Sequence, residues 1–463
     1  MMLAADAGFC PSPRDSRGAV AGAPGTTPSR YPVGMTDALS PDALSPDAQS
    51  PHALAPAAKS SAAPALRPDT LAVRAGLHRT PFDEMSEALF LTQGYVYPNA
   101  ANAEAAFAGE IDRYQYSRYG NPTVTTFEER LAAIEGAEAC FATATGMAAV
   151  FVSLGSILKQ GSRLVAARAL FGSSLNVFDD YFSSWGIVVD YVDAHDNADW
   201  ERVLATPADA IYIESPTNPM QDVVDIPFVA ALSKKAGALF IVDNVFATPL
   251  GQKPLELGAD AVVYSATKHI DGQGRVLGGA VLGSAEYVNG PVRTMVRTMG
   301  ATMSPFTAWV LAKSLETLPL RVKAMAASAA NLAAWFEAHP KVAVARYPLL
   351  PSHPQYARAK AQMTLGGTLV TIDIALPEGT DPHGDEAKAA AFRFMDALQV
   401  VDISNNLGDA KSIVTHPATT THRKLGPEGR AAVGMCAATV RISIGLEDVE
   451  DLREDFARAL DAV

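Results

Sequence analysis

The sequence predicts an α/β protein with a mostly parallel central sheet, helices on both faces, and a smaller α+β domain after it. Short apolar runs alternate with helix-length segments from Arg163 onward, as in strands that are buried on both faces. Past about Leu318 this alternation gives way to long Ala-rich segments mixed with strands. We therefore expect a large domain over residues 131–315 and a C-terminal domain over residues 316–463.

The predicted elements of the large domain follow one another as strand, helix, strand. Because parallel strands need a crossover connection about as long as a helix, this order favours a parallel sheet. The predicted strands cover residues 163–166, 188–192, 210–214, 239–243 and 261–265, and the helices include residues 173–185 and 226–236. In the C-terminal domain we expect helices at 322–338 and 386–398, and strands at 367–374 and 440–443.

Length, charge and cysteine content exclude several classes of protein. The chain has 463 residues and a formal net charge of -13. The acidic balance argues against a nucleic-acid or anionic-membrane partner, because it would repel polyanions. The three cysteines, Cys10, Cys140 and Cys436, are widely spaced and odd in number, which argues against a disulfide framework and a zinc site. We expect a cytoplasmic protein without a metal site.

Residues 1–68 differ from the rest of the chain in composition. They are rich in Pro, Ala and Ser, and they repeat Leu-Ser-Pro-Asp-Ala between Leu39 and Ala48. Such a segment buries too little apolar surface to offset its ordering entropy. It is therefore predicted to be a disordered arm.

The stretch 139–158 is uncharged and long enough to be considered as a membrane span. It consists mostly of Ala, Thr, Ser and Gly, which contribute little to insertion into a bilayer. The composition favours a buried helix preceded by a loop of small residues.

A candidate nucleophile follows the predicted strand 261–265. Lys268 stands in Ser265-Ala266-Thr267-Lys268, and open parallel sheets bind ligands beyond the carboxyl ends of their strands. A lysine at such a place can form a Schiff base with an aldehyde, and the hydroxyls of Ser265 and Thr267 suit a phosphate. The alternative is an exposed loop lysine flanked by helix-capping hydroxyls.

A second predicted strand end carries a carboxylate. Asp243 closes the apolar run 239–242. A buried carboxylate is costly unless a cation pairs with it, and a protonated pyridine nitrogen would be such a cation. Pyridoxal 5'-phosphate (PLP) needs this combination of a lysine and a carboxylate. A helix N-cap or a salt bridge remains open as the role of Asp243.

Two further segments suit the phosphate group. The small-residue loop 142–147 leads into an apolar helix, whose N-terminal N–H groups and Gly146 would admit an anion. Farther upstream, Tyr116 and Arg118 lie two residues apart in a predicted extended segment and could clamp a phosphate from outside. A solvated turn is the alternative for this second segment.

Taken together, these strings resemble the Cys/Met-metabolism family of PLP-dependent enzymes, which are fold-type I proteins. The matching strings are residues 116–123, 214–219, 243–244 and 265–268, and the resemblance covers nearly all of residues 70–460. The stretches 243–250, 269–274 and 405–412 resemble one branch in particular, the bacterial O-succinylhomoserine sulfhydrylases. The resemblance implies the fold-type I architecture and PLP as cofactor.

The resemblance also implies roles around the cofactor. Lys268 would hold PLP covalently and, once freed by substrate, move protons between carbon positions. Asp243 would pair with the ring nitrogen, and Asn218 would hydrogen-bond the ring hydroxyl. The implied phosphate site comprises Ser265, Thr267 and the N–H groups of Gly146 and Met147.

The resemblance implies that Phe171 stacks on the cofactor ring. The family usually has a tyrosine there, so this chain lacks its hydroxyl. Tyr116 and Arg118 would reach PLP in a neighbouring subunit, and Tyr116 would take over part of the missing acid–base role. The N-terminal arm, residues 69–130, would thus complete the partner's site, and we expect a homotetramer built from dimers that share active sites.

Two residues are implied to bind the substrate. Arg441 would hold the α-carboxylate, for which a planar, bidentate cation is well suited. Asn406 stands where the family has a serine, so an amide replaces a hydroxyl. His416 and His422 lie nearby, and their spacing favours a structural or substrate-facing role over metal binding.

The implied reaction is γ-replacement on an O-acylhomoserine, with O-succinylhomoserine as the expected ester and sulfide as the nucleophile. The product would be homocysteine, for methionine biosynthesis. Cystathionine γ-synthase and a methionine or cystathionine γ-lyase are the alternatives of the same class. A non-catalytic binding protein with the same fold is the alternative of a different class.

Overall fold

The computed structural model describes residues 66–463. The predicted disordered arm lies outside the described residues except for its last three positions, and helix α1 begins at Pro68. Within the described part, no helix is both long and apolar enough to cross a membrane.

The central sheet has seven strands in the order β1-β7-β6-β5-β4-β2-β3. The strands β2 to β6 run parallel, and β7 pairs antiparallel with both β6 and β1. Their bounds are β1 Ala139–Thr143, β2 Arg163–Ala167, β3 Val188–Val192, β4 Ala210–Glu214, β5 Leu239–Asp243, β6 Ala261–Ser265 and β7 Gly279–Gly283. The predicted mostly parallel α/β sheet is confirmed.

The helices before and around this sheet are α1 Pro68–Arg74, α2 Ala100–Ala108, α3 Pro122–Glu135, α4 Gly146–Gly155, α5 Gly172–Asn176, α6 Asn197–Leu204, α7 Ile226–Ala236, α8 Thr248–Gly251, α9 Ala285–Tyr287, α10 Arg293–Met299 and α11 Pro305–Leu315. Local signals set several of these ends. Helix α7, for example, begins after Asp225, whose side chain accepts from the N–H of Phe228, and it ends at Gly237 in the left-handed conformation.

The second sheet has five strands in the order β10-β11-β12-β9-β8. They are β8 Val342–Arg346, β9 Leu369–Ile374, β10 Asp402–Ile403, β11 Ile413–Thr415 and β12 Thr439–Ser443. The accompanying helices are α12 Leu318–Glu337, α13 Tyr356–Gln362, α14 Asp385–Ala397, α15 Gly426–Ala432 and α16 Val449–Asp461. Apolar side chains of α12, α14 and α16 pack with those of β9 and β12 in a separate hydrophobic core.

Three predicted elements differ from the structure. Residues 139–143 form strand β1 and not a loop, because they pair with the distant, Gly-rich strand β7. Strand β3 is not buried on both faces, since it lies at the edge of the sheet and leaves Val188 52% exposed. The helix predicted at 173–185 consists of α5, a π-helical turn Val177–Phe182 and a 3-10 turn Ser183–Trp185.

Candidate active site

Three parallel strands bring their carboxyl ends to one edge of the central sheet. Glu214, at the end of β4, is the register partner of Asp243, at the end of β5. Asp243 in turn lies opposite Val263 of β6. Lys268 follows in the turn after β6, where its backbone N–H donates to Ser265 O at 3.2 Å. The sheet thus gathers the predicted lysine and the predicted carboxylate at the edge where such folds bind ligands.

Asp243 receives hydrogen bonds from two uncharged donors. Its Oδ1 accepts from the N–H of Val245 at 3.1 Å, and its Oδ2 accepts from the hydroxyl of Tyr212 at 3.2 Å. The next helix, α8, begins only at Thr248 and has Ala247 as its N-cap. Burial raises the pKa of Asp243 to about 6. A half-buried carboxylate with neutral partners fits a cationic ring nitrogen as its ligand.

Lys268 points its amine toward the C-terminal part of the chain. Its Nζ donates to Oδ1 of Asn406, in the loop after β10. Burial lowers the pKa of Lys268 to about 8, and the nearby charge of Arg441 acts in the same direction. A lysine tuned in this way has a substantial neutral fraction near physiological pH, as an amine nucleophile requires.

Arg441 is a buried cation in the middle of strand β12. It is 2% exposed, its Nη1 donates to Asn218 Oδ1 at 2.9 Å, and its Nη2 donates to the carbonyl of Asn406 at 3.0 Å. Both acceptors are neutral, and Nε has no hydrogen-bond partner among residues 66–463. Burial lowers the pKa of Arg441 to about 10, against the opposing effect of Glu214. A buried guanidinium with a free donor suits a carboxylate ligand.

Asn406 connects the amine to the guanidinium. Its side-chain oxygen accepts from Lys268, while its backbone oxygen accepts from Arg441. Asn218 completes this group, because its side-chain oxygen accepts from Arg441 and its backbone oxygen faces Nε2 of His422 at 3.1 Å. The structure therefore brings Lys268, Asn218, Asn406 and Arg441 together.

The N-terminus of α4 lies against the turn that follows β6. Thr145 caps the helix by accepting from the N–H of Ala148 at 3.0 Å, while the N–H groups of Gly146 and Met147 occupy its first two positions. A Cβ atom on Gly146 would stand 2.6 Å from Cβ of Ser265, so only glycine fits there. The N-terminus of α4 and the hydroxyl of Ser265 together form a cradle that suits a phosphate.

Two of the predicted cofactor residues have partners in the protein. The hydroxyl of Thr267 donates to Gly278 O at 3.3 Å and accepts from Gly278 N at 3.0 Å, which fixes the turn before Lys268. Phe171 lies just beyond β2, and its N–H donates to Oε2 of Glu214 at 2.9 Å. The residues at this sheet edge thus match what PLP requires: an amine, a carboxylate for the ring nitrogen, and a phosphate cradle.

Tyr116 and Arg118 do not reach this group within one chain. Tyr116 is 41% exposed, whereas Arg118 donates to the carbonyl of Arg297 and lies 4.7 Å from the ring centroid of Tyr119. Large apolar side chains of the same N-terminal segment are exposed as well, among them Phe82, Met85, Leu91, Val96 and Phe107. An exposed apolar surface of this kind is typical of an interface.

Near the site, Tyr212 and Glu214 received no role from the sequence alone, and His422 received only a choice between a structural and a substrate-facing one. Tyr212 and Glu214 project from the same face of β4 next to Asp243. In the sequence, their spacing of two residues indicates this, because such side chains lie on one face of a strand. Burial raises the pKa of Glu214 well above its usual range, with Asp243 acting in the same direction. His422 is buried, bonds to Asn218 and therefore has a structural role. In the described part of the chain, no group of His, Cys, Asp and Glu is arranged to hold a metal.

Comparison with known proteins identifies the family. The model of the Cys/Met metabolism PLP-dependent enzymes matches residues 69–461. This chain belongs to that family. PLP is accordingly its cofactor, and the fit of the residues described above agrees with this.

Two sequence relatives of this Cys/Met-metabolism enzyme share most of its length. An O-succinylhomoserine sulfhydrylase of Mycobacterium tuberculosis is 58% identical over 391 residues, which cover 84% of this chain and 95% of the relative. An O-succinylhomoserine sulfhydrylase of Pseudomonas aeruginosa is 48% identical, and the match covers 85% of this chain and 95% of the relative. Among solved structures, a Campylobacter jejuni protein described as a proposed O-acetylhomoserine (thiol)-lyase matches with a TM-score of 0.79 and 28% identity, covering 86% of this chain and 100% of that one. That structure contains a pyridoxyl-lysine phosphate.

Proposed function

We propose that this protein is an O-succinylhomoserine sulfhydrylase, which exchanges the succinyloxy group on Cγ of O-succinylhomoserine for sulfide. The products are homocysteine and succinate, and the reaction serves methionine biosynthesis. The two sulfhydrylase relatives, at 58% and 48% identity, support the choice of reaction within the family.

The observation that carries the proposal is the position of Asn406 between Lys268 and Arg441. One residue bonds to both the amine that reacts and the guanidinium that is free to take an anion. An α-amino acid presents its amine and its carboxylate on one carbon. A site in which a reactive amine and a carboxylate-binding cation share one neighbour suits such a substrate.

When bound, PLP supplies an electron sink that makes the Cα proton of the substrate acidic. We assign the matched residues their roles around it. Asp243 would hold the ring nitrogen protonated, Asn218 would bond to the ring hydroxyl, and Phe171 would pack on the ring face. Ser265, Thr267 and the N–H groups of Gly146 and Met147 would hold the phosphate.

Lys268 is the base that moves protons on the substrate. Its Nζ takes the proton from Cα and serves the neighbouring Cβ from the same position, since a flexible four-carbon stem lets the amine reach both atoms. The lowered pKa of Lys268, about 8, keeps a neutral amine available for this work. Succinate then leaves Cγ, and sulfide adds to the same carbon.

Arg441 holds the α-carboxylate of the substrate in a bidentate fashion, and Asn406 orients the free amine of Lys268. Because Arg441 is buried and its donors point in fixed directions, it selects amino acids over other amines. Sulfide is small, so it needs no dedicated binding residue.

We also propose a homotetramer of dimers with shared active sites, in the cytoplasm. Tyr116 and Arg118 would complete the partner's phosphate site, and Tyr116 would assist proton transfer there. The exposure of Tyr116 and of the apolar side chains in the arm 69–130 supports this arrangement.

The experiment supplies purified protein and PLP with O-succinylhomoserine together with sulfide, with cysteine, or with neither. We expect homocysteine from sulfide as the dominant product. Lys268→Ala should abolish product formation and the visible absorption of the bound cofactor. O-acetylhomoserine, tested in parallel, measures the preference for the acyl group.

The other outcomes contradict the proposal in distinct ways. Dominant cystathionine from cysteine would indicate a cystathionine γ-synthase. Dominant 2-oxobutyrate without any thiol would indicate a γ-lyase. A protein that binds PLP but converts none of these substrates would indicate a binding protein with the same fold.

A further inference from the structure

A buried tyrosine lies beside the carboxylate of Asp243. Tyr212 is 1% exposed, and its hydroxyl donates to Oδ2 of Asp243 at 3.2 Å. Its ring packs edge-to-face on Phe178, with 5.4 Å between the ring centroids. The packing holds the ring in one place, so the hydroxyl is a fixed donor to this carboxylate.

The register of the sheet accounts for this contact. Tyr212 of β4 lies opposite Ile241 of β5, and Glu214 lies opposite Asp243. Because side chains two residues apart share a face, Tyr212 is the diagonal neighbour of Asp243 on the face that carries the site. A long aromatic side chain can span such a diagonal.

The charges around Asp243 explain what the hydroxyl does. Burial disfavours ionisation of Asp243, and the pKa of Glu214 on the same rung of the sheet is raised well above its usual range, which leaves Asp243 as the carboxyl of this pair that ionises first. A hydrogen-bond donor to the carboxylate favours the ionised form. The hydroxyl of Tyr212 and the N–H of Val245 each occupy one oxygen of Asp243, so together they also fix its rotation.

We propose that Tyr212 is a positioning residue that keeps Asp243 ionised and oriented toward the ring nitrogen of PLP. Tyr212 acts on the cofactor through Asp243 and does not touch the substrate. The inference goes beyond the proposed function, because it holds for whichever acyl ester and nucleophile the enzyme uses. It depends on PLP binding alone.

The test compares Tyr212→Phe with the wild-type full chain in the affinity of the apoprotein for PLP. Loss of a hydrogen bond to a charged group should weaken PLP binding roughly 10-fold. Tyr347→Phe is the matched control, since Tyr347 is also buried and its hydroxyl bonds to the carbonyls of Gly367 and Ala326 at 3.2 and 3.3 Å. This control should change PLP affinity less than about twofold, because the two bonds of its hydroxyl lie within residues 326–367, apart from the predicted cofactor residues.

A double-mutant cycle separates this role from a general loss of structure. In an Asp243→Asn background, Tyr212→Phe should change PLP affinity less than about twofold, because the two residues act as one unit. With ¹⁵N-labelled PLP, the ring-nitrogen resonance should move toward its unprotonated position in Tyr212→Phe and stay in place in Tyr347→Phe.

Unchanged PLP affinity in Tyr212→Phe, or equal fold-losses with and without Asp243, would overturn the proposal. If Tyr212→Phe does not fold, Tyr212→Met fills a similar volume without a hydroxyl, and the same outcomes apply. These measurements use no substrate. They can therefore fail while the sulfhydrylase assay succeeds, and the reverse is equally possible.

Discussion

Gly146 and Ser265 lie so close together that a single methyl group on Gly146 would clash with the serine. The added Cβ would stand 2.6 Å from Cβ and 2.7 Å from Oγ of Ser265. Real side chains do not tolerate such distances, so either the helix or the turn would have to move. Both elements belong to the proposed phosphate cradle, so this contact tests that proposal directly.

Gly146→Ala should therefore weaken PLP binding more than it reduces stability. Overpacking of this kind costs about 1–3 kcal/mol, and we expect most of it to appear as lost PLP affinity. PLP titration and thermal unfolding of the apoprotein measure the two effects. Gly290→Ala is the control, since its Cβ would meet no atom of the described part of the chain within 4 Å. A Gly146→Ala protein with wild-type PLP affinity would contradict the assignment of the cradle.

Arg441→Lys should reduce kcat/KM for O-succinylhomoserine roughly 100-fold, because an ammonium cannot replace a bidentate guanidinium. Steady-state kinetics would show the loss, and PLP affinity should change little. Arg453→Lys serves as the control, since Arg453 makes its ion pair with the exposed Glu450. Wild-type kcat/KM in Arg441→Lys would show that the α-carboxylate binds elsewhere.

The rate at which the apoprotein takes up PLP should rise with pH, with a midpoint near 8. Only the neutral amine of Lys268 attacks an aldehyde, and burial lowers the pKa of this lysine to about 8. The neutral fraction is therefore small below this pH and nearly complete above it. Stopped-flow absorbance between pH 6 and 10 measures the rate. A rate that is still rising steeply at pH 10, as the ordinary lysine pKa of 10.5 would give, would contradict the tuned environment.

His422 should make the protein less stable as the pH falls from 6.5 toward 4. Burial lowers the pKa of His422 from 6.5 to about 4, so the unfolded state binds its proton first and is favoured by acid. The stability is fully present above pH 6.5 and decreases below it. At pH 5 the loss from this one group is about 2 kcal/mol.

Denaturant unfolding of His422→Gln at pH 7 and pH 5 tests this expectation. The variant should lose less stability between the two pH values than the wild type, by about the same 2 kcal/mol. His383→Gln, which alters an exposed histidine, should behave like the wild type. Equal losses in all three proteins would show that His422 titrates normally.

The sequence predicts this fold well where the signal is local. The strands β4, β5 and β6 are short apolar runs between helix-length segments, so their bounds follow from composition and spacing. The strand β1 was missed, because Ala139–Thr143 has no strong strand pattern and depends on its pairing with β7. The exposed edge position of β3 depends likewise on sheet order, which no local pattern contains.

In the site, too, some features follow from local sequence signals and others depend on long-range pairing. The positions of Lys268 and Asp243 could be predicted, since each closes or follows a strand whose end is readable from the sequence. The roles of Tyr212 and Glu214 depend on the register between β4 and β5. The contact of Asn406 with both Lys268 and Arg441 depends on how two separate sheets meet, and a single sequence does not specify that geometry.

The two sheets contribute different residues to the site, and this has a consequence for partly folded chains. Lys268 and Asp243 come from the central sheet, whereas Arg441 comes from β12 of the second sheet. A molecule with only the first sheet assembled would retain the reactive amine but lack its means of recognising amino acids. In such a species no guanidinium stands beside Lys268, so we expect selectivity for amino acids to require that β12 is in place.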